Sequence, residues 1–333
     1  MKLSQRNEYF DILKGIAILF VIGIHTYPPP QDFTQIGSQL GLIIRQIIVL
    51  AVPLFCAISG FFASNKDKSE CINFIKQKAP WLFIPALIWS IPYLVYDFYK
   101  GYGGINSIAN FFLLGYSRHY FILVMLQFYA LLPLLVRKSD KKTWLLLSIV
   151  VSLISIGYFS HRMYVDGIQT PLIVYAGGLF VWIMFFCLGI FIAKTDRKYK
   201  LAPYIICLII SLALSYKESI MYIDKYDNLG GIGYKVSNFI FSFFAIIVLM
   251  SKKIEDYVNS KNNYCLNFLK WCGRNSLGLF FIHSPLLLFV FSHINIGNLW
   301  FVKFSLCFAV SSMIIIISKK YFSKKLLLSI GFR

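Results

Sequence analysis

The sequence predicts an all-α membrane protein that crosses the bilayer many times. Of its 333 residues, 58% are hydrophobic and 14% are charged, and the mean hydropathy is +0.68. Soluble domains carry about 25% charged residues, so an ordinary soluble fold is excluded. The net charge of +19 comes from short basic clusters between apolar stretches. This pattern is typical of a membrane protein, so we expect membrane lipids as partners and no nucleic acid.

Ten apolar segments are predicted to be membrane spans. They lie at about 9–27, 39–63, 81–99, 119–136, 143–160, 173–193, 201–219, 234–250, 276–293 and 299–318. Alternate connections are basic, which places 24 of the 33 lysines and arginines on one side. That side, with both termini, is predicted to be cytoplasmic. The opposite loops are short, so we expect one membrane domain over 1–333 and no appended soluble domain. The apolar stretch within 105–118 is too short to cross and predicts an interfacial or re-entrant helix.

The first predicted span carries three ionisable residues, Asp11, Lys14 and His25. On a helix they project from nearly one face, and His25 lies roughly 16 Å along the axis from Lys14. Ionisable groups inside a membrane are costly unless they are paired or used, so this polar stripe is a functional candidate. The two charges also interrupt the apolar run that a signal peptide would need, so we expect this span to stay attached.

Three other segments carry polar residues at unusual places. In the second span, Pro53 and the Ser59-Gly60 pair loosen the helix, which permits either close helix packing or the approach of a thin ligand. The fourth span opens with Arg118-His119 and continues through Gln127. The ninth opens with Arg274-Asn275-Ser276, where a cap and an anion site are both compatible with the sequence, and contains His283.

The cysteines and histidines do not form a metal-binding pattern. Seven cysteines include no C-x-x-C pair and lie mostly in apolar spans, which argues against a disulfide framework and a zinc site. No H-E-x-x-H or comparable spacing is present, and we predict no metal.

In this order, the motifs resemble the integral-membrane acyltransferase type 3 family over about residues 8–320. The motifs are Asp11-x-x-Lys14-Gly15 leading to His25, Pro53-Leu54-Phe55 with Ser59-Gly60-Phe61, His119-Tyr120-Phe121 with Gln127, and Ser276-x-Gly278 leading to His283. The resemblance implies transfer of an acyl group, usually acetyl from acetyl-CoA, to a sugar hydroxyl of a lipid-linked or nascent glycan. It is nearest to the short members that acetylate O-antigen or capsule sugars, in the bacterial inner membrane. Acetyl-CoA is then a substrate, and no bound cofactor is expected.

Two positions depart from the family pattern. At the start of the third span, where the family often carries an arginine pair, this chain has Lys76 and Lys78. Lysine holds a phosphate as a point charge and not with a bidentate grip. Arg45 lies about two turns before Pro53, whereas the family tends to place a basic residue about one turn before that position.

The chemistry assigns His25 as the general base, because an alcohol is a weak nucleophile and histidine has a matched pKa. Asp11 lies roughly 20 Å from His25 on a helix, so we expect it to support Lys14 or to pair with another helix. The residues expected to bind the donor are Lys14, Ser59, Gly60, Lys76, Lys78 and Arg274. The residues expected on the acceptor side or in support of His25 are Arg45, Arg118, His119, Gln127, Ser276 and His283.

Two functions remain open from the sequence. The first is the O-acetyltransferase. The second is a glycan or lipid transporter or flippase without acyl-transfer chemistry, for which the polar stripe and Arg45 would form a translocation path. The unusual polar residues are concentrated in the first four spans and the ninth, which does not match the paired halves of an inverted-repeat transporter. Use of acetyl-CoA discriminates the two functions.

Overall fold

The described part of the chain folds entirely into helices. The computed structural model describes residues 7–27, 36–64, 68–116, 118–138, 142–226, 233–261, 263–292 and 300–332. Over these ranges it contains seventeen α-helices, two single π-helical turns and no strand. The α-helices are α1 (Glu8–Thr26), α2 (Ile36–Ile48), α3 (Ala51–Ala63), α4 (Lys68–Tyr99), α5 (Ile105–Phe112), α6 (Tyr120–Ala130), α7 (Leu132–Lys138), α8 (Lys142–Ser160), α9 (Leu172–Ala176), α10 (Leu179–Ala193), α11 (Ala202–Tyr226), α12 (Val236–Leu249), α13 (Lys252–Asn259), α14 (Tyr264–Arg274), α15 (Ser276–Pro285), α16 (Trp300–Tyr321) and α17 (Lys324–Ser329). The π turns are His161–Val165 and Leu286–Val290.

Seven helical segments are long and apolar enough to cross a membrane, which confirms the polytopic membrane fold. Within the described ranges the number becomes eight if α12 and α13, bent by 57°, form one span. The ten predicted segments all coincide with helix, but two are short. At 119–136 the helix breaks at Leu131, so that α6 has 11 residues, and at 276–293 the α-helix gives way to a π turn after Pro285. Residues 293 and 299, at the ends of the last two predicted spans, lie outside the described ranges.

Helix α1 lies at the centre of the bundle. Asn7 caps its start by accepting a hydrogen bond from the backbone nitrogen of Tyr9 at 3.0 Å. Two glycines let α1 touch α14 backbone to backbone. A Cβ on Gly15 would clash with the Leu269 carbonyl, and a Cβ on Gly273 would clash with the Asp11 carbonyl. This contact brings the end of α14 beside the polar stripe of α1.

The contact between α3 and α10 uses the same device. A Cβ on Gly60 would clash with the carbonyl of Phe186, and one on Gly189 would clash with the carbonyl of Ala57. Small residues at a helix crossing allow such close approach in membrane bundles. Pro53 stands in the first turn of α3, where its missing N–H is tolerated. Of the two interpretations of the Ser59-Gly60 pair, helix packing therefore applies to Gly60.

Contacts between connections gather several basic clusters at one end of the bundle. Arg197 Nη2 lies 2.6 Å from Glu255 Oε2, and Lys270 Nζ lies 2.7 Å from Glu8 Oε2. Lys194 Nζ donates to the Val136 carbonyl at 3.3 Å. This clustering agrees with the alternation from which the orientation was predicted. The cytoplasmic placement of that end and of the termini stays a prediction.

The short helix predicted within 105–118 is confirmed as α5, which has eight residues. It follows a turn at Gly101, whose φ of +78° favours glycine. Asp97 at the end of α4 accepts hydrogen bonds from Ser107 at 2.8 Å and Tyr116 at 3.0 Å, which hold α5 and the following turn against α4. Its position relative to the membrane stays a prediction.

Candidate active site

A cavity of about 590 Å³ opens beside the first half of α1. We call it the basic cavity, because it is lined by Lys14, Arg274 and Lys319. Its hydroxyl groups come from Ser59 on α3 and Ser276 on α15, and its apolar walls include Phe55 and Phe121. Four of the predicted site residues therefore meet in one cavity: Lys14, Ser59, Arg274 and Ser276. Ser276 was predicted on the acceptor side or in support of His25, and the structure places it at this cavity, beside Lys14 and Arg274.

Two acids compensate the cations of the basic cavity. Asp11 is buried, and its carboxylate lies 3.6 Å from Lys14 Nζ and 3.5 Å from Arg274 Nε. Glu8 lies 3.0 Å from Arg274 Nη2. The expectation that Asp11 pairs with Lys14 or with another helix is confirmed on both counts. These ion pairs fix the two cations in position, since buried charges are retained when they are paired.

The N-terminus of α15 also opens into the basic cavity, which is lined by Asn275, Ser276 and Leu277. Asn275 stands at the N-cap position of α15, but the predicted side-chain cap is not made. Asn275 instead donates to the Trp271 carbonyl at 2.8 Å and accepts from Lys319 Nζ at 2.7 Å. A helix N-terminus carries a partial positive charge. Together with Lys14 and Lys319 it makes this end of the cavity suitable for an anion.

A second cavity, of about 340 Å³, lies beside the other half of α1. It contains His25 and Arg45. We call it the aromatic cavity, because its walls include Tyr27, Tyr120, Tyr164, Tyr175, Trp182 and Tyr234. These rings come from five separate parts of the chain, so no local sequence motif predicts that they meet.

His25 is held by two side chains from other helices. Arg118 Nε donates to His25 Nδ1 at 3.3 Å, and the His283 ring stacks on the His25 ring with the centroids 5.5 Å apart. Because a guanidinium only donates, the nitrogen it contacts bears no proton, and the proton of the neutral His25 ring lies on Nε2. The partner that orients His25 is therefore a cation rather than a carboxylate.

Three of the predicted supporting residues, His119, His283 and Gln127, do not line either cavity, and the two histidines are buried. His119 Nδ1 shares a hydrogen bond of 2.9 Å with Ser90, and His283 Nδ1 lies 3.2 Å from the Leu279 carbonyl. Gln127 joins the broken helix pair α9 and α10, donating to the Gly177 carbonyl at 2.7 Å and accepting from the Leu179 nitrogen at 3.0 Å. Gln127 thus has a structural role here, because a helix break leaves backbone groups that need partners. A role on the acceptor side or in support of His25 stays a prediction.

Among the predicted donor-binding residues, Gly60, Lys76 and Lys78 do not line the basic cavity. Gly60 faces α10, as its contact with the Phe186 carbonyl requires. Lys76 is exposed on α4, and Lys78 Nζ lies 4.4 Å from the centroid of the Trp81 ring. The structure brings neither lysine together with Lys14. A contribution of these two lysines to donor binding stays a prediction.

Of the three cations that line the basic cavity, Lys319 is the one that the sequence did not single out. It stands in the basic tail, where it counted only toward topology. Its neighbours at the cavity belong to α1 and α15, which lie far from it in the chain. The sequence places Lys319 at the end of a predicted span, on the same side of the membrane as the start of α1 and α15. That position could have indicated Lys319 as a neighbour of the cavity.

A thin aromatic wall separates the two cavities. Phe55 lines the basic cavity, whereas Val52, one turn earlier on α3, lines the aromatic cavity. Phe121 and Tyr120 divide in the same way on α6. The rings of Phe55 and Phe121 close the gap with centroids 5.9 Å apart. The two cavities thus lie beside opposite halves of α1, with these rings between them.

Comparison with known proteins identifies relatives of the chain. A family model described as "Acyltransferase domain" matches residues 7–323. The chain is also 25% identical to the serine/alanine racemase of Enterococcus gallinarum over 237 residues, which are 62% of this chain and 32% of that protein. The chain thus spans about a third of the length of that curated relative. No solved structure matches the chain at a significant level.

Proposed function

Because the chain belongs to the integral-membrane acyltransferase type 3 family and is a membrane acyltransferase, we propose that it moves an acetyl group from acetyl-CoA to a sugar hydroxyl of a surface polysaccharide. The observation that carries the proposal is the placement of α1 between two cavities of different chemistry. Lys14 lines the basic cavity and His25 lines the aromatic cavity. One helix thus connects an anion-binding region to a histidine.

The basic cavity is the proposed donor site. The phosphates of CoA would bind at Lys14, Lys319 and the N-terminus of α15, where cations and backbone N–H groups converge. The pantetheine arm would then extend past Ser59 toward Phe55 and Phe121. A displacement of these two rings would bring the thioester to His25.

The aromatic cavity is the proposed acceptor site. Its volume of about 340 Å³ lies at the small end of the usual range for ligand pockets, so it suits the terminal sugars of a glycan. Tyrosine and tryptophan rings combine an apolar face with a polar edge, which matches a sugar ring. We propose a lipid-linked or nascent glycan of the O-antigen or capsule type, in the bacterial inner membrane.

The proposed reaction uses Arg118 and His25 in sequence. The acceptor oxygen attacks the thioester carbonyl, and His25 Nδ1 takes the hydroxyl proton as general base. Since Arg118 occupies Nδ1 beforehand, its guanidinium must move away, and the developing oxyanion is the group that would attract it. Collapse of the tetrahedral intermediate forms the sugar ester and expels the CoA thiolate, which takes the proton held on His25 Nδ1 and leaves as the thiol, so that His25 becomes neutral again.

Release of CoA by the purified protein tests this proposal. The protein in nanodiscs is given isotope-labelled acetyl-CoA and glycan extracts from the host membrane, and free thiol and labelled glycan are measured. We expect both products from the parent protein and background amounts from His25→Ala. Mass spectrometry of surface glycans from cells with and without the gene then identifies the acceptor. Intact acetyl-CoA with every extract would contradict the proposal and favour a transporter, which leaves the thioester untouched.

A further inference from the structure

We propose that the acceptor carries an anionic group, a carboxylate or a phosphate, and that Arg45 binds it in the aromatic cavity. The inference rests on the proposed function, because it concerns the charge of the sugar that binds at the proposed acceptor site. Arg45 lines the aromatic cavity, and its Nη1 atom is buried without a hydrogen-bond partner in the described part of the chain.

No acid near the aromatic cavity neutralises Arg45 within the described ranges. The side chains that interact electrostatically with its guanidinium are the hydroxyls of Tyr27, Tyr120 and Tyr164 and two further basic groups, His25 and Lys235. The acid of this network, Glu218, interacts with Lys235 and is not among the groups that act on Arg45. A cation shielded from water without a counterion is unfavourable. The basic cavity differs, because Asp11 lies between Lys14 and Arg274. Arg45 therefore lacks a negative partner that a ligand can supply.

The surroundings of Arg45 hold its guanidinium toward the cavity. The next residue, Gln46, is buried and accepts a hydrogen bond of 2.5 Å from Lys235 Nζ, which fixes the rotation of α2. Lys235 also donates to Ser215 at 3.0 Å and to Asn238 at 2.8 Å, so its own charge is fully hydrogen-bonded. Gly233 leaves room for the guanidinium, since a Cβ at that position would lie 2.7 Å from Arg45 Nη2.

The planar shape of the Arg45 guanidinium selects the class of anion. A guanidinium presents a planar fork that matches the two oxygens of a carboxylate or a phosphate. The rings around Arg45 supply faces for a sugar. An acidic sugar and a sugar attached to a lipid through phosphate share this chemistry. Neutral sugars without such a group would leave the buried guanidinium unpaired, so we expect them to bind more weakly.

Binding of matched anionic and neutral probes tests the inference without acetyl-CoA. One pair is benzyl glucuronide and its neutral methyl ester, and the other is farnesyl-phosphoryl glucose and neutral farnesyl glucoside. Binding is followed by quenching of the fluorescence of Trp182, which lines the cavity, with Trp182→Phe as the reference that isolates this signal. In at least one pair the anionic member should bind about tenfold to a hundredfold more tightly, as expected for a hydrogen bond to a charged group. The pair that shows the preference identifies a carboxylate or a phosphate.

Variants of Arg45 link the preference to this residue. Arg45→Gln should bring the affinity ratio near one, and Arg45→Lys should keep part of it, because lysine retains the charge without the fork. Lys100→Gln is the control, since Lys100 is exposed at the end of α4 and does not line the cavity. Equal binding within both pairs by the parent protein would overturn the inference, even if no Arg45 variant accumulates. So would a preference that survives in Arg45→Gln.

The two proposals fail separately in this design. A protein that prefers anionic probes but never cleaves acetyl-CoA would keep the anion site and overturn the proposed transferase function. A protein that acetylates neutral glycans and shows no preference in either pair would keep the transferase function and overturn the role of Arg45.

Discussion

The basic cavity and the aromatic cavity lie beside the same helix but differ in whether acidic residues neutralise their cations. In the basic cavity Asp11 lies 3.5 Å from Arg274 and 3.6 Å from Lys14, so the cations are partly neutralised. In the aromatic cavity Arg45 forms no ion pair with an acid of the described part of the chain, and its guanidinium interacts with the hydroxyls of Tyr27, Tyr120 and Tyr164. We infer that compensated cations suit a polyanionic donor whose product must leave in each cycle. An uncompensated arginine suits selection of one anionic group.

The largest effect is expected at the helix position that connects the two cavities. His25→Gln should lower transfer by roughly a hundredfold or more, because glutamine hydrogen-bonds but cannot take the hydroxyl proton. The rate of the parent enzyme should fall where a drop in pH protonates His25, since only neutral imidazole accepts a proton. Initial rates at saturating acetyl-CoA across a pH series measure both effects.

The control for His25 is His161→Gln, because His161 is exposed and pairs with Asp166 at 3.3 Å. It should leave the rate and the pH profile unchanged. Near-normal transfer by a well-accumulated His25→Gln protein would exclude His25 as the base. His119 and His283, each with a buried Nε2 that has no partner in the described residues, would then be the remaining candidates.

A smaller and more selective effect is expected in the basic cavity. Lys14→Gln with Lys319→Gln should raise the KM for acetyl-CoA by about tenfold to a hundredfold and leave the KM for the acceptor unchanged, because hydrogen bonds to phosphates would be lost. Lys320→Gln, at the exposed neighbour of Lys319, is the control and should match the parent. Steady-state kinetics with each substrate varied in turn provide the measurement.

The same assay separates the cavity from the lysines of α4. If the phosphates bind in the basic cavity, the pair Lys76→Gln and Lys78→Gln should change the KM for acetyl-CoA by less than the cavity pair does. A KM that rises in the α4 pair and stays constant in the cavity pair would move the donor site to α4.

The smallest effect is expected at Gly233 in the aromatic cavity. Gly233→Ala should raise the acceptor KM by about threefold, because the methyl group would shift the flexible end of Arg45 at a cost below 1 kcal/mol. Gly104→Ala, where a Cβ meets open space, is the control and should not alter it. A rise in the donor KM in Gly233→Ala would contradict the assignment of the basic cavity to the donor and of the aromatic cavity to the acceptor.

The sequence predicted those features that depend on local spacing. The helical period placed Asp11, Lys14 and His25 along one helix, and the pairing of Asp11 followed from the distance to His25. The sequence grouped Gln127 and Ser276 on the acceptor side or in support of His25. It did not predict that Ser276 lines the basic cavity or that Gln127 bonds the break between α9 and α10, because it does not tell which way a helix end turns in the bundle. The sequence also overestimated two spans, since hydropathy does not register the break at Leu131 or the π turn after Pro285.

The remaining parts of the site depend on contacts between distant segments. Lys319 reaches Asn275 across 44 residues, and Arg118 reaches His25 across 93. The six rings of the aromatic cavity come together in the same way. Periodicity specifies the face of one helix, whereas these contacts require the rotation and the partner of each helix. Only the packed bundle provides that information.

Direct observation of a bound donor tests the central claim, that the basic cavity delivers an acyl donor to His25. The measurement is a cryo-EM structure of the protein in nanodiscs with a thioether analogue of acetyl-CoA, which cannot be cleaved. We predict phosphate density beside Lys14, Lys319 and the first residues of α15, with the acyl end between Phe55 and Phe121 and directed at His25. Phosphate density in the aromatic cavity beside Arg45, or on the exposed face of α4 at Lys76, would contradict the account.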